Sequence, residues 1–100
     1  MSRFQEHLYV VVYDIRDDRR WRRVFRTMKG FGDWVQLSVF QCRLSRSRAV
    51  DLAARLEAAI AIAEDHVMII DVGIAEGCEP RVRSLGKQTF EVIERKPVIV

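Results

Sequence analysis

Leu8-Tyr-Val-Val-Val-Tyr-Asp-Ile15, followed directly by Arg16-Asp-Asp-Arg-Arg-Trp-Arg-Arg-Val24, is the stretch that decides the fold. The run from Leu8 to Tyr13 is apolar and β-branched, the pattern of a strand buried on both faces. Asp14 falls where that strand should leave the core, because sealing in a lone carboxylate costs too much without a partner. The next segment reads as a helix. Asp17 or Asp18 suits its N-cap, and Trp21, Val24, Phe25 and Met28 recur as one apolar stripe. Gly30 and Gly32 end it. Arg19, Arg22, Arg23, Arg26 and Lys29 fall largely off the stripe. A strand-end carboxylate beside this block of arginines has two readings. It is either a structural ion pair with Arg16 or another local arginine, or a metal ligand next to a phosphate-binding surface.

Moving outward, Trp34 to Leu44 is rich in β-branched and aromatic residues and is either one bent strand or a tight pair. Ser45 or Ser47 opens a second helix reaching about Glu64. Its segment Ala58 to Ala63 is apolar nearly all round, which predicts burial on more than one side. His66 to Gly73 is a further apolar strand. Residues 75–88 carry Gly77, Pro80 and Gly86 and read as loop. β character returns at Thr89 to Ile93 and at Pro97-Val-Ile-Val100. No linker or repeat divides the chain, so residues 1–100 form one domain. The element order predicts an α+β ferredoxin-like βαββαβ sandwich, two helices on one sheet face, with an extra C-terminal strand. An apolar strand at the end of the chain would fray unless docked on a sheet edge. The partner's edge serves as well as its own, which predicts a dimer with residues 89–100 exchanged.

Composition narrows the function classes. Of 100 residues, 49% are hydrophobic, and 17 Lys and Arg against 14 Asp and Glu give a net charge of +3. Arginine dominates the basic set, and its planar fork grips phosphate bidentately. Cys42 and Cys78 are isolated, as in reduced cytoplasmic proteins. No apolar run approaches the ~18–20 residues of a membrane helix.

Five basic residues from Arg19 to Arg26 with no acid among them repel one another, a cost that a polyanion offsets. Arg43, Arg46 and Arg48 could extend that surface. Asp14 alone cannot complete a magnesium shell, but a two-fold dimer would bring two copies together, and a divalent cation relieves the repulsion between them. Lys29-Gly-Phe-Gly32 before Val35 resembles an RNA-recognition signature but sits after the wrong element; its glycines are more simply a helix stop and turn. His7, Ser38 and His66 carry no nucleophile or base pattern. Asp71 is a buried-polar candidate whose partner the sequence does not name.

Tyr13-Asp14-Ile15, the Asp17-Asp18 pair, the basic helix with Arg23-Val24, and Val35-Gln-x-Ser-Val-Phe40 form a series that resembles the Cas2 family of small CRISPR-associated proteins. The second helix, the HVMIIDVG strand and the terminal Pro97 to Val100 extend the likeness over nearly the whole chain. The resemblance implies a ferredoxin-like homodimer with exchanged C-terminal segments and a magnesium-binding aspartate, here Asp14. It implies Mg2+ shared between two Asp14 residues, catalysis by Asp14 and Arg23, and Tyr13 and Phe40 close to the interfacial site. Arg16, Arg19, Arg20, Arg22 and Arg26 are then the nucleic-acid contacts. Family members often carry arginine where Trp21 and Trp34 stand, so the resemblance implies a weakened nuclease, with Arg20 and Arg22 as compensating cations. The implied function is spacer acquisition with the Cas1 integrase, on DNA or RNA, with a metal-dependent endoribonuclease activity. The alternatives are a non-catalytic duplex-binding scaffold and a toxin-type ribonuclease on the same fold.

Overall fold

A computed structural model describes residues 5–86. Along these residues run strand β1 (His7–Asp14), helix α1 (Asp18–Lys29), strands β2 (Asp33–Gln36) and β3 (Val39–Leu44), helix α2 (Arg46–Ala59) and strand β4 (His66–Ile74). They form one four-stranded sheet in the order β2-β3-β1-β4, with β1 antiparallel to both β3 and β4. This is the predicted α+β sandwich. The C-terminal strand segments at 89–93 and 97–100, and the exchange of residues 89–100, lie outside the described residues.

The local signals act as expected at the helix starts. Asp17 accepts the Arg20 N–H at 3.0 Å, and Ser45 accepts the Arg48 N–H at 3.3 Å, so these two are the N-caps. α1 buries Val24, Phe25 and Met28, and α2 buries Leu52, Leu56 and Ala59. Both pack on the sheet face formed by Val11, Tyr13, Phe40, Cys42 and Leu44. Burial pushes the Cys42 thiol up to about 11, which leaves it unreactive at neutral pH.

The segment 34–44 resolves into a hairpin, not a bent strand. Leu37 and Ser38 make its two-residue turn, with Leu37 in the left-handed region at φ 44°. A leucine there is unfavourable, and the surroundings hold it in place. The Trp34 indole donates to the Leu37 carbonyl at 3.0 Å, the Trp21 indole donates to Ser38 Oγ at 3.2 Å, and the Tyr13 N–H donates to the Ser38 carbonyl at 3.1 Å. Trp21 stacks on Phe25 at 5.2 Å, and Phe25 meets Trp34 and Phe40 edge-on. Gly32 lies where the chain passes β3, and a Cβ there would run into Cys42 Sγ and the Gln41 carbonyl. Close approach accounts for this glycine, and the RNA-recognition reading falls away.

Two expectations need correction. Strand β1 is not sealed on both faces: Val11 and Tyr13 are buried, whereas Val10 and Val12 are only half-buried. Their neighbours on β4 are more exposed still, with Met68 at 47% and Ile70 at 43%. Helices cover one sheet face; among the described residues the apolar opposite face is open toward the Asp14 end, while at its other end Leu8 is buried.

Helix α2 also stops at Ala59, five residues short of the expected Glu64. The cause is Asp65, whose Oδ2 accepts the Ala61 N–H at 2.8 Å and so takes the amide that would have continued the helix. The chain instead turns over residues 61–64, with the Glu64 and Asp65 amides donating to the Ala61 carbonyl. Ile62 is consequently 71% exposed, not buried on several sides.

Asp65 does more than end a helix. Its side chain is 0% exposed and takes the Arg20 Nε–H at 2.7 Å and the Arg16 N–H at 2.9 Å. Arg20 also reaches Glu64 at 2.9 Å. The Arg20 guanidinium, more than the two backbone amides, holds the Asp65 carboxyl well below the ordinary carboxylate value, although burial opposes it.

Two outcomes follow. Gly32→Ala should destabilise the fold by about 1–3 kcal/mol, because the Gln41 backbone cannot step aside; urea titration reads this. The Asp65 contribution is complete above the ordinary carboxylate value of 3.8. It is lost as the pH falls below that value, where the unfolded chain binds a proton that the folded chain refuses. Asp65→Asn should therefore melt lower at neutral pH and lose less on acidification. Melting temperatures for both proteins between about pH 3 and pH 7 check this.

Candidate metal carboxylate and nucleic-acid interface

Side chains alternate along a strand. Because Val11 and Tyr13 enter the core, Asp14 points with Val10 and Val12 to the open face. It is exposed and, among the described residues, enters no hydrogen bond or ion pair. The ion-pair reading is thus not realised. Arg16 follows two residues later, with its backbone amide held by Asp65 and its side chain exposed. The loop that carries Asp14 into α1 is anchored from behind while the carboxylate stays free.

A free carboxylate at a rigid strand end suits magnesium, which binds through one or two carboxylates and keeps several waters. One protomer does not assemble more. No group of three or more His, Cys, Asp or Glu is gathered for a metal among the described residues. The cross-strand partner of Asp14 is His66, exposed on the same face.

The basic residues separate by role. At 100° per residue, Arg19, Arg22, Arg23 and Arg26 share the side of α1 opposite Val24 and Met28. None has a partner among the described residues, so the cations form one outward strip. Arg20 stands off that strip, on the flank toward Asp65. It was expected to meet phosphate or to compensate for Trp21, but its guanidinium is committed to Asp65 and Glu64. Of the three residues expected to extend the strip, Arg43 and Arg48 make contacts elsewhere. Arg43 bonds the Ala75 and Cys78 carbonyls at 2.9 and 2.8 Å, Arg48 lies over the Phe31 ring at 4.2 Å, and Arg46 begins α2.

Tyr13 and Phe40 are likewise displaced from their expected role near an interface. Both are buried, their rings 6.3 Å apart, on the helix side of the sheet. The Tyr13 hydroxyl has no hydrogen-bond partner among the described residues, and burial drives its pKa well above the ordinary value. It supports the strand that ends in Asp14 and is no acid–base group. Arg23 is not gathered with Asp14 within one protomer: the strip faces away from the sheet, and Asp14 lies on the sheet's other side.

Sequence reasoning missed Asp65. The residue follows Glu64 between a helix end and an apolar strand, and its partner Arg20 is 45 residues away. Neither periodicity nor a local motif could join them. A hint was available in the acid directly before the apolar strand, since a carboxylate entering a buried layer demands a donor.

No helix among the described residues is long and apolar enough to cross a membrane. Residues 7–76 match the family described as CRISPR associated protein Cas2. The chain is 58% identical over 95 residues to the CRISPR-associated endoribonuclease Cas2 of Geobacter sulfurreducens, covering 95% of this chain and 99% of that protein. It is 55% identical to the CRISPR-associated endoribonuclease Cas2 1 of Rhodospirillum rubrum, covering 95% and 92%. Among solved structures, hypothetical protein TT1823 from Thermus thermophilus superposes with a TM-score of 0.69 at 34% identity, over 83% of this chain and 94% of that one. Streptococcus pyogenes Cas2 does so with a TM-score of 0.69 at 28% identity, over 79% and 99%. The βαββαβ order along the sequence and these matches along most of its length agree: the chain belongs to the CRISPR-associated Cas2 family.

Proposed function

We propose that this chain is a single-domain cytoplasmic protein of CRISPR adaptation, a homodimer that binds nucleic acid beside the Cas1 integrase and cleaves phosphodiester bonds as a metal-dependent endoribonuclease. The observation that carries the reading is the exposed Asp14 carboxylate on a sheet face whose neighbouring apolar residues Met68 and Ile70 are also exposed. Val10, Val12, Met68 and Ile70 make that face costly to leave in water. A two-fold packing of the face on its copy covers it and sets two Asp14 residues opposite each other. Exchange of residues 89–100 onto the outer edge of β4 would close the sheet's exposed backbone.

The two carboxylates would hold one Mg2+, which supplies Lewis acidity toward a phosphoryl oxygen and activates water. Asp65 keeps the loop after Asp14 in place, and Arg16 is the nearest cation in sequence to counter charge on the phosphate. Arg23 belongs with Arg19, Arg22 and Arg26, which grip the backbone of the bound nucleic acid. The opposed directions of Asp14 and the arginine strip favour a second reading, in which the dimer is a duplex-holding scaffold and Cas1 carries the chemistry.

Asp14→Asn should abolish Mg2+-dependent RNA cleavage while light scattering still reports a two-chain mass. Undiminished cleavage by that variant would sink the catalytic reading and leave the scaffold. Reversing Arg19, Arg22 and Arg26 to Glu should weaken duplex binding at low salt and flatten its salt dependence. Removing three phosphate-binding cations reduces the log–log slope by about 2.7. An unchanged slope would discard the strip as the binding surface.

A further inference from the structure

A second polar constellation lies at the opposite end of β1, about 23 Å from Asp14 along the strand. Gln5, His7, Tyr9, Arg46 and Asp71 line a cavity of about 280 Å³ there. Its centre is a histidine held by a carboxylate. His7 Nδ1 stands 2.9 Å from Asp71 Oδ1 and 3.0 Å from Oδ2, and the Gly73 N–H donates to Oδ1 at 2.9 Å. Asp71 is therefore not the buried polar group expected from its strand; it is exposed and turned toward His7.

A local irregularity aims it. The pairing of β1 with β4 shifts between Leu8 and Tyr9, so that Val72 is extra, and Gly73 takes φ +121°. Such bulges redirect side chains and recur beside functional sites. The His7 bond, aided by Gly73 and Arg46, holds the Asp71 carboxyl below its ordinary value against the effect of burial. An ionised Asp71 requires Nδ1 to donate, which leaves Nε2 as the free nitrogen of the neutral ring. Tyr9 lies with its ring 6.3 Å from that of His7, and burial and then Asp71 raise its pKa, so the phenol keeps its proton. Arg46 adds a cation at the start of α2, whose first turn holds no acid.

We propose that this cavity binds an RNA phosphodiester and that His7, oriented by Asp71, cleaves it without a metal. The inference rests on the nucleic-acid-binding part of the reading above and on none of its metal chemistry. His7 Nε2 takes the proton of the 2′-hydroxyl, and the 2′-oxygen bonds to phosphorus. The bond from phosphorus to the 5′-oxygen breaks, and Tyr9 gives that oxygen its proton. Proton return from the His7 imidazolium to the Tyr9 phenolate restores the site. The products are a 2′,3′-cyclic phosphate and a 5′-hydroxyl, and DNA, lacking the attacking group, is not cut. Arg46 offsets charge on the phosphate oxygens.

The test uses the full chain in EDTA with a short RNA and a copy carrying 2′-O-methyl groups throughout. Mass spectrometry should find cyclic-phosphate ends on the RNA and intact methylated copy. His7→Ala should slow the reaction by about 100-fold or more, and added imidazole should restore part of it, which a purely structural role would not allow. Arg46→Ala should weaken binding of the methylated copy. Binding of the methylated RNA with no cyclic ends in EDTA overturns this proposal alone, as does cleavage undiminished in His7→Ala or unresponsive to imidazole. Failure to bind RNA at all overturns it together with the nucleic-acid reading on which it rests. A parallel Mg2+ arm reads the Asp14 chemistry separately.

Discussion

Asp65 gathers three pieces of chain that are far apart in sequence: the Arg16 amide after β1, the Arg20 guanidinium in the first turns of α1, and the Ala61 amide beyond α2. A carboxylate with no exposure is tolerated only because these donors satisfy it, and each is thereby held in position. The consequence runs outward. Helix α2 ends where Ala61 is taken, β4 begins at the next residue after Asp65, and the loop leaving Asp14 is anchored at Arg16. The candidate metal carboxylate is thus presented from an anchored loop, although its side chain enters no bond among the described residues.

That arrangement also divides the arginines, which look equivalent in sequence. Arg20 neutralises Asp65 inside the sandwich, whereas Arg19, Arg22, Arg23 and Arg26 remain on the outer side of α1. Self-repulsion along the helix is reduced by one committed charge, and the remaining strip is positioned for an extended polyanion more than for one phosphate at Asp14. Trp21 and Trp34 belong to the same division of labour. Where family resemblance placed cations, two indoles hold a hairpin turn whose Leu37 has a left-handed backbone. Their contribution is to packing and turn geometry.

The sheet has two unlike faces and two unlike ends. Helices cover the face of Val11, Tyr13 and Phe40, while the apolar side chains opposite look for a partner surface. At one end of β1 stands a free carboxylate; at the other a bulge turns Asp71 onto His7. Both ends therefore present polar groups, an exposed carboxylate at one and a carboxylate-held imidazole at the other.

From the residues alone, the order of elements, an aspartate N-cap for α1 (Asp17 or Asp18), the apolar stripe and the strand-end position of Asp14 were legible, because each depends on neighbours within a turn or a strand. The likeness of YDI, the basic helix and VQxSVF to one family was legible for the same reason. Tertiary structure decided what those signals could not: that Arg20 is consumed by a carboxylate 45 residues away, that α2 stops at Ala59, that Tyr13 and Phe40 are core, and that His7 and Asp71 meet across 64 positions. Periodicity reports which side of an element is apolar, whereas the pairing of charges across elements depends on register and on a bulge, and neither leaves a period in the sequence.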